Sequence, residues 1–469
     1  MSTHSELAGQ HLPAASAQEN VPGRETQVPG RRIHEIDALR SIALLLLIAY
    51  HALCAFQPFA WMVGLVGFSE HLPGLWLLGE LLNTWRIPVL FLLAGVTGGH
   101  LLGNRQPAEL LRSRLLRLVP PLLMGMFVVV PLSGILFQSF NHTPIRYTPG
   151  LGHLWFVWNL AVYFVMAFPF LVLVKRFPQF VVLRVLRSCS PYIWLVLLPG
   201  LLGATTIVLE PHITSEYFSA HFLRFWYGLA CFVSGVLMAS FGESFWAGIR
   251  GICRPALFMA IALYAVRVLE VDLGGATVRL WANSFESAYG MLAFLGYGSR
   301  LFGRPSSVFS RVNRSVFAVY IVHFPVQQAL ALFLVPLGLP AWPAFAILFI
   351  ATLTISASVY GVVLRPLPWL HPFFGIPRVK AVGGHREPSA GAVLAPGRWA
   401  SVIGRGVVLY FVSPLLVLVT FSLLAAAALE SWQAGAGATV RQQPGERSLG
   451  IGPGPVTDTP SDPMGEERP

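Results

Sequence analysis

The chain has 469 residues, of which 55% are hydrophobic and only 11% charged, and its mean hydropathy is +0.64. Soluble domains run about 25% charged, so a water-soluble fold of this size is excluded. The net charge of +11 does not point to nucleic acid, because the basic residues stand in short stretches between apolar runs and not on one patch.

Residues 1–36 are polar, rich in Ala, Pro, Gln, Glu and Ser. They read as a disordered tail without the apolar centre of a signal peptide, so the first span is expected to act as its own insertion signal. Candidate spans follow at about 38–57, 75–100, 118–137, 153–173, 192–208, 221–240, 255–269, 280–298, 315–334, 342–364 and 406–429. Each is an apolar run suited to a membrane helix. The segment 255–269 is short, and 280–298 carries Asn283, Ser284 and Glu286. The stretch 365–405 reads as a long loop, and the chain beyond 431 is rich in Gly and Pro. The expected fold is all-α, a polytopic membrane bundle of about 10–11 helices. Charge tests the map: with a cytoplasmic N-terminus, 23 Lys and Arg fall inside and 5 outside, as the positive-inside rule requires. Cys54, Cys189, Cys231 and Cys253 show no metal spacing and read as buried apolar residues.

The first span carries Asp37, a candidate N-cap, then Arg40 and His51. Eleven residues are three turns plus about 20°, so Arg40 and His51 share a face about 16 Å apart along the axis. Ionisable groups are costly in lipid, which favours a protein interior or a wet cavity. Snorkelling explains Arg40 nearly as well, and an interhelical hydrogen bond is the structural alternative for His51. A histidine there suits a general base. The second span holds Glu80, Asn83, Arg86 and Pro88. Arg86 is too deep to snorkel easily, and reads either as a site residue or as the partner of Glu80 or Glu286. Arg112, Arg114 and Arg117 are either ordinary cytoplasmic anchors or the phosphate-binding edge of a nucleotide-bearing donor. At the outer end of the fourth span stand His153, Trp155 and Phe156, with Trp158 beyond. The tryptophans read as interface residues, and His153 is placed to meet a polar acceptor. His323, within Tyr320-Ile-Val-His323-Phe-Pro325, reads as a structural hydrogen bond. No phosphate loop, serine elbow or zinc-protease motif occurs, and no metal site is expected.

Together these residues resemble the acyltransferase-3 family of integral membrane acyltransferases. The resemblance rests on Asp37-x-x-Arg40 with His51, Arg86-Ile-Pro88-x-x-Phe91-x-x-Ala94-Gly95, Arg112-x-Arg114, His153-Leu-Trp155-Phe156 and Tyr320-x-x-His323-x-Pro325, in that order over about 35–365. The Arg-Ile-Pro and His-Leu-Trp-Phe forms lean toward the branch of periplasmic glucan succinyltransferases. The resemblance implies His51 as the catalytic histidine with Arg40 as its partner. It puts Arg112 and Arg114 at a cytoplasmic acyl-CoA site, and the neighbouring Arg117 is a donor-binding candidate on its position alone. Arg86, His153 and Trp155 are left to the acceptor. It implies an inner-membrane acyltransferase domain over 37–365, with acyl-CoA as co-substrate, no bound cofactor, and a carbohydrate or envelope glycan as acceptor. Residues 366–430 then form a cytoplasmic loop with an extra helix, and 431–469 a periplasmic tail. Ala94-Gly95 stands where Ser-Gly is commoner. No oligomeric state is implied. The competing function is a transporter or saccharide exporter, since intramembrane Arg and His also suit a proton-coupled path. Such a protein is expected to carry inverted repeats and broken helices, and the sequence shows neither. A sensor or assembly protein is the third reading.

Overall fold

The computed structural model describes residues 34–179, 184–185, 190–209, 216–271, 273–303 and 307–376. Among them there is no β-strand, and helices stand at ten of the eleven expected spans. The segment 406–429 lies outside the described residues, as does Cys189. By internal contacts the described residues divide into two units, the second of which holds Gly134–Tyr147. In the second unit, Gln138 holds the Arg146 backbone at both ends, accepting from its N–H at 2.6 Å and donating to its carbonyl at 3.3 Å.

Helix α1, His34–Cys54, begins four residues before the expected 38. Glu35 and Asp37 both sit in its first turn, where a carboxylate offsets the positive helix end, so Asp37 is a first-turn residue and not the cap. A short 3-10 turn, Ala60–Val63, leads to α2, Pro73–Asn83, and α3, Arg86–Asn104. Next come α4, Pro107–Met124, a π-turn over Gly125–Val129, and α5, Val130–Phe140. The fourth expected span is broken into α6, Trp155–Met166, and α7, Phe168–Arg176, with a bend of 46°. Pro169 accounts for the bend, since it offers no N–H and its ring crowds the carbonyl a turn earlier. The expectation of unbroken helices is corrected here. Then follow α8, Trp194–Leu209, and α9, Glu216–Ala239. Helix α10, Gly242–Val268, turns the short segment 255–269 into a full-length helix. Helices α11, Ala276–Phe302, α12, Ser307–Leu334, and α13, Ala341–Ser358, complete the series. Six of these stretches are long and apolar enough to cross a membrane, or seven with the bent pair counted as one.

Packing confirms an apolar solvent. Leu116, Phe127, Phe258, Ile350 and Val362 are all more than half exposed. A soluble protein rarely shows such a surface, whereas lipid accepts it. Inside, small residues let backbones approach. A Cβ on Gly95 of α3 would lie 2.0 Å from the Phe232 carbonyl oxygen of α9, and one on Gly235 2.1 Å from that of Leu92. Helix α1 is central, touching α2, α3, α11, α12 and α13. The stretch after 365 starts as a packed 3-10 turn, His371–Phe374, with Leu370 and Phe374 buried in the core. Cys54, Cys231 and Cys253 are buried thiols.

Candidate active site

Arg40 and His51 share the unbroken helix α1, and the fold gathers a separate group of side chains around each. Near the start of α1, Arg40 lies within electrostatic reach of Asp37 and of Arg117 from α4. Arg114 likewise feels Arg40, Arg117 and Arg105, and its guanidinium stands 5.7 Å over the Phe164 ring. Asp37 accepts a 2.7 Å hydrogen bond from Asn313 of α12. Arg112 is exposed and lies about 200° around α4 from Arg114. Arg105, a further exposed arginine, also acts electrostatically on Arg114.

Near the end of α1 the side chains form a hydrogen-bonded chain. His51 Nδ1 lies 3.0 Å from His323 Nε2. His323 Nδ1 lies 2.6 Å from the Tyr320 carbonyl oxygen. A carbonyl only accepts, so neutral His323 carries its proton on Nδ1 and offers a lone pair at Nε2. His51 must then donate from Nδ1, which leaves a lone pair on His51 Nε2 with no hydrogen bond among the described residues. Gln327 fixes the backbone, its amide donating to the His51 carbonyl at 2.9 Å. Tyr320, His323 and Gln327 are spaced three and four apart on α12, so one helical face meets α1.

His153 joins from the turn before α6. Its Nε2 lies 3.2 Å from the Ile321 carbonyl oxygen. That carbonyl is available because Pro325, four residues on, has no N–H to give it. His153 Nδ1 is therefore an acceptor, buried and without a hydrogen bond among the described residues. The Tyr320 hydroxyl donates to the His153 carbonyl at 2.5 Å, and Phe324 stacks on the His153 ring at 4.8 Å. Trp155 instead faces Phe91, with 6.4 Å between ring centroids. Phe156, like His153, reaches Tyr320. Among the described residues, no group of three His, Cys, Asp or Glu is arranged to hold a metal ion.

Arg86 starts α3 and is 1% exposed. Its guanidinium lies 3.5 Å from the centroid of Tyr50, the residue before His51, whose hydroxyl donates to Asn83 at 3.1 Å. The ion pair considered for Arg86 does not form. Arg267 of α10 takes both carboxylates, Glu286 at 2.8 Å and Glu80 at 2.5 Å. Arg86 Nε and Nη1 are buried donors with no hydrogen bond among the described residues. The site thus offers unfilled donors on Arg86 and unfilled acceptors on His51 and His153, which suits a substrate bearing both a hydroxyl and a carbonyl oxygen.

Of the residues the sequence singles out, His51, Arg86 and His153 come together, and His323 makes the hydrogen bonds expected of it. Tyr50 and Gln327 are not singled out by the sequence. The helical spacing of Tyr320, His323 and Gln327 was the available signal. Compared with known proteins, the chain matches the model of the acyltransferase-3 family, described as an acyltransferase domain, over residues 33–361. No curated protein and no solved structure matches it. With that match over more than half its length and helices fit to cross a membrane, the chain belongs to the acyltransferase-3 family and is a multi-pass membrane acyltransferase.

Proposed function

We propose that the protein moves an acyl group, of acetyl or succinyl type, from a cytoplasmic acyl-CoA to a hydroxyl of an envelope carbohydrate. On this reading it sits in the inner membrane with its N-terminus cytoplasmic. The observation that carries the reading is the bare Nε2 of His51, held by His323 beside the unfilled donors of Arg86. Arg40, Arg114 and Arg117, with Arg112 at the rim, bind the phosphates of the donor, for which guanidinium groups are suited. On this reading the acyl-pantetheine arm bridges the distance from these arginines to His51, about 16 Å along the axis of α1. The two groups are therefore the ends of one path and not one compact dyad.

His51 Nε2 takes the proton of the acceptor hydroxyl as its oxygen bonds to the acyl carbon. The carbon–sulfur bond then breaks, and the proton passes from His51 to the departing thiolate. His153 Nδ1 accepts from a neighbouring hydroxyl of the acceptor and orients it. Arg86 orients the reacting group through Nε and Nη1, and Trp155 backs this wall through Phe91. The lean toward a glucan and a succinyl group comes from the resemblance of the Arg-Ile-Pro and His-Leu-Trp-Phe runs. The test is transfer of label from radioactive acetyl-CoA and succinyl-CoA into the carbohydrate fraction of membranes containing the protein. His51→Ala is expected to abolish transfer, and activity equal to the parent would overturn the reading.

A further inference from the structure

We infer that His323 is a positioning residue that sets the tautomer of His51, so that the base nitrogen faces the acceptor instead of the neighbouring helix. The inference rests on the proposed role of His51. His323 is 0% exposed, so it does not touch substrate. Both of its nitrogens are engaged: Nδ1 with the Tyr320 carbonyl at 2.6 Å and Nε2 with His51 at 3.0 Å. The carbonyl decides the first proton and thereby the second, because a neutral imidazole has one donor and one acceptor. The two rings lie 5.2 Å apart and only 13° from parallel, so the His51–His323 bond runs near the plane of both. The same geometry serves the protonated stage. When His51 Nε2 has taken the hydroxyl proton, the Nδ1–H bond to His323 becomes charge-assisted and stronger. No second proton moves, since His323 Nδ1–H stays on the Tyr320 carbonyl.

The surroundings keep the arrangement in place. The groups facing the pair are Arg86 and Tyr50 beside His51, His153 from the turn before α6, and Phe324 and Tyr320 on α12 itself. None of the five is a carboxylate, so among the described residues nothing acidic holds His51. The orienting group of this base is a second imidazole anchored on backbone. The logic matches that of a catalytic triad, in which a third group fixes the ring of the base.

The test compares His323→Leu, His323→Gln and His323→Glu with the parent and with His51→Ala, in proteoliposomes supplied with labelled acetyl-CoA or succinyl-CoA and extracted envelope carbohydrate. Each variant is first checked for monodispersity in detergent. Leu removes the acceptor for His51 Nδ1 and is expected to lower kcat on the order of 10²-fold, with KM for the donor nearly unchanged. Gln can accept from His51 and donate to Tyr320, and is expected to recover at least a tenth of the parent kcat. Glu is expected to move the acidic limb of the pH–rate profile upward, because a carboxylate favours the protonated ring beside it. Folded Leu and Gln variants of equal activity, or a Leu variant with the parent's kcat and pH profile, would refute the positioning role. Activity retained in His51→Ala would instead overturn the function on which it rests.

Discussion

Replacing Gly95 by alanine tests whether backbone contact between α3 and α9 fixes the position of Arg86. A Cβ at residue 95 would stand 2.0 Å from the Phe232 carbonyl oxygen and 2.9 Å from its carbon. Ordinary carbon–oxygen contact begins beyond 3 Å, and the obstacle is backbone, which cannot rotate away. The helices must therefore separate by about an ångström. Overpacking of this kind costs about 1–3 kcal/mol. Arg86 lies nine residues before Gly95 on the same rigid helix, so much of that displacement reaches its guanidinium. A misplacement of about 1 Å near reacting groups lowers rates on the order of 10²-fold. The assay pairs unfolding in detergent with acyl transfer from labelled acyl-CoA. Gly103, also in α3, is the control, because a Cβ there meets nothing within 4 Å; Gly103→Ala is expected to stabilise by about 0.5–1 kcal/mol. If Gly95→Ala kept both the stability and the activity of the parent, the close approach would not govern the site.

Three further outcomes are expected. Arg86→Met removes two buried donors that bond to nothing among the described residues, so it leaves no protein group stranded. Loss of its contact with the Tyr50 ring is expected to cost no more than about 2 kcal/mol, while transfer falls on the order of 10²-fold; a larger loss of stability would mark Arg86 as structural. Arg267→Met strands Glu80 and Glu286 together. Because Arg267 and Glu80 are partly exposed, the cost is expected near the lower end for a broken buried pair, about 3 kcal/mol, and adding Glu286→Gln is expected to recover part of it in the same unfolding measurement. Pro325→Ala returns an N–H that competes with His153 for the Ile321 carbonyl. Transfer is expected to fall several-fold without loss of fold, and unchanged kinetics would show that the freed carbonyl does not hold His153.

The sequence by itself determined that the chain lives in a membrane, because no arrangement of so few charges covers a soluble surface of this size. It also determined the shared face of Arg40 and His51, since both stand on one helix and the helical repeat alone relates them. The family match bears out the resemblance that five short motifs carried. Helical period says which residues share a face, but not which helix that face meets. In an apolar solvent the contrast between lipid-facing and buried positions is weak, so neighbours are set by small-residue contacts such as Gly95 with Gly235. For that reason only the tertiary structure decided that His323, 272 residues from His51, is its partner. It alone gave Glu80 and Glu286 to Arg267 and left Arg86 on Tyr50 with donors unfilled. It also turned Trp155 toward Phe91, because a side chain at the first residue of a helix points where the entering turn aims it, and that turn is held by Tyr320 of a distant helix.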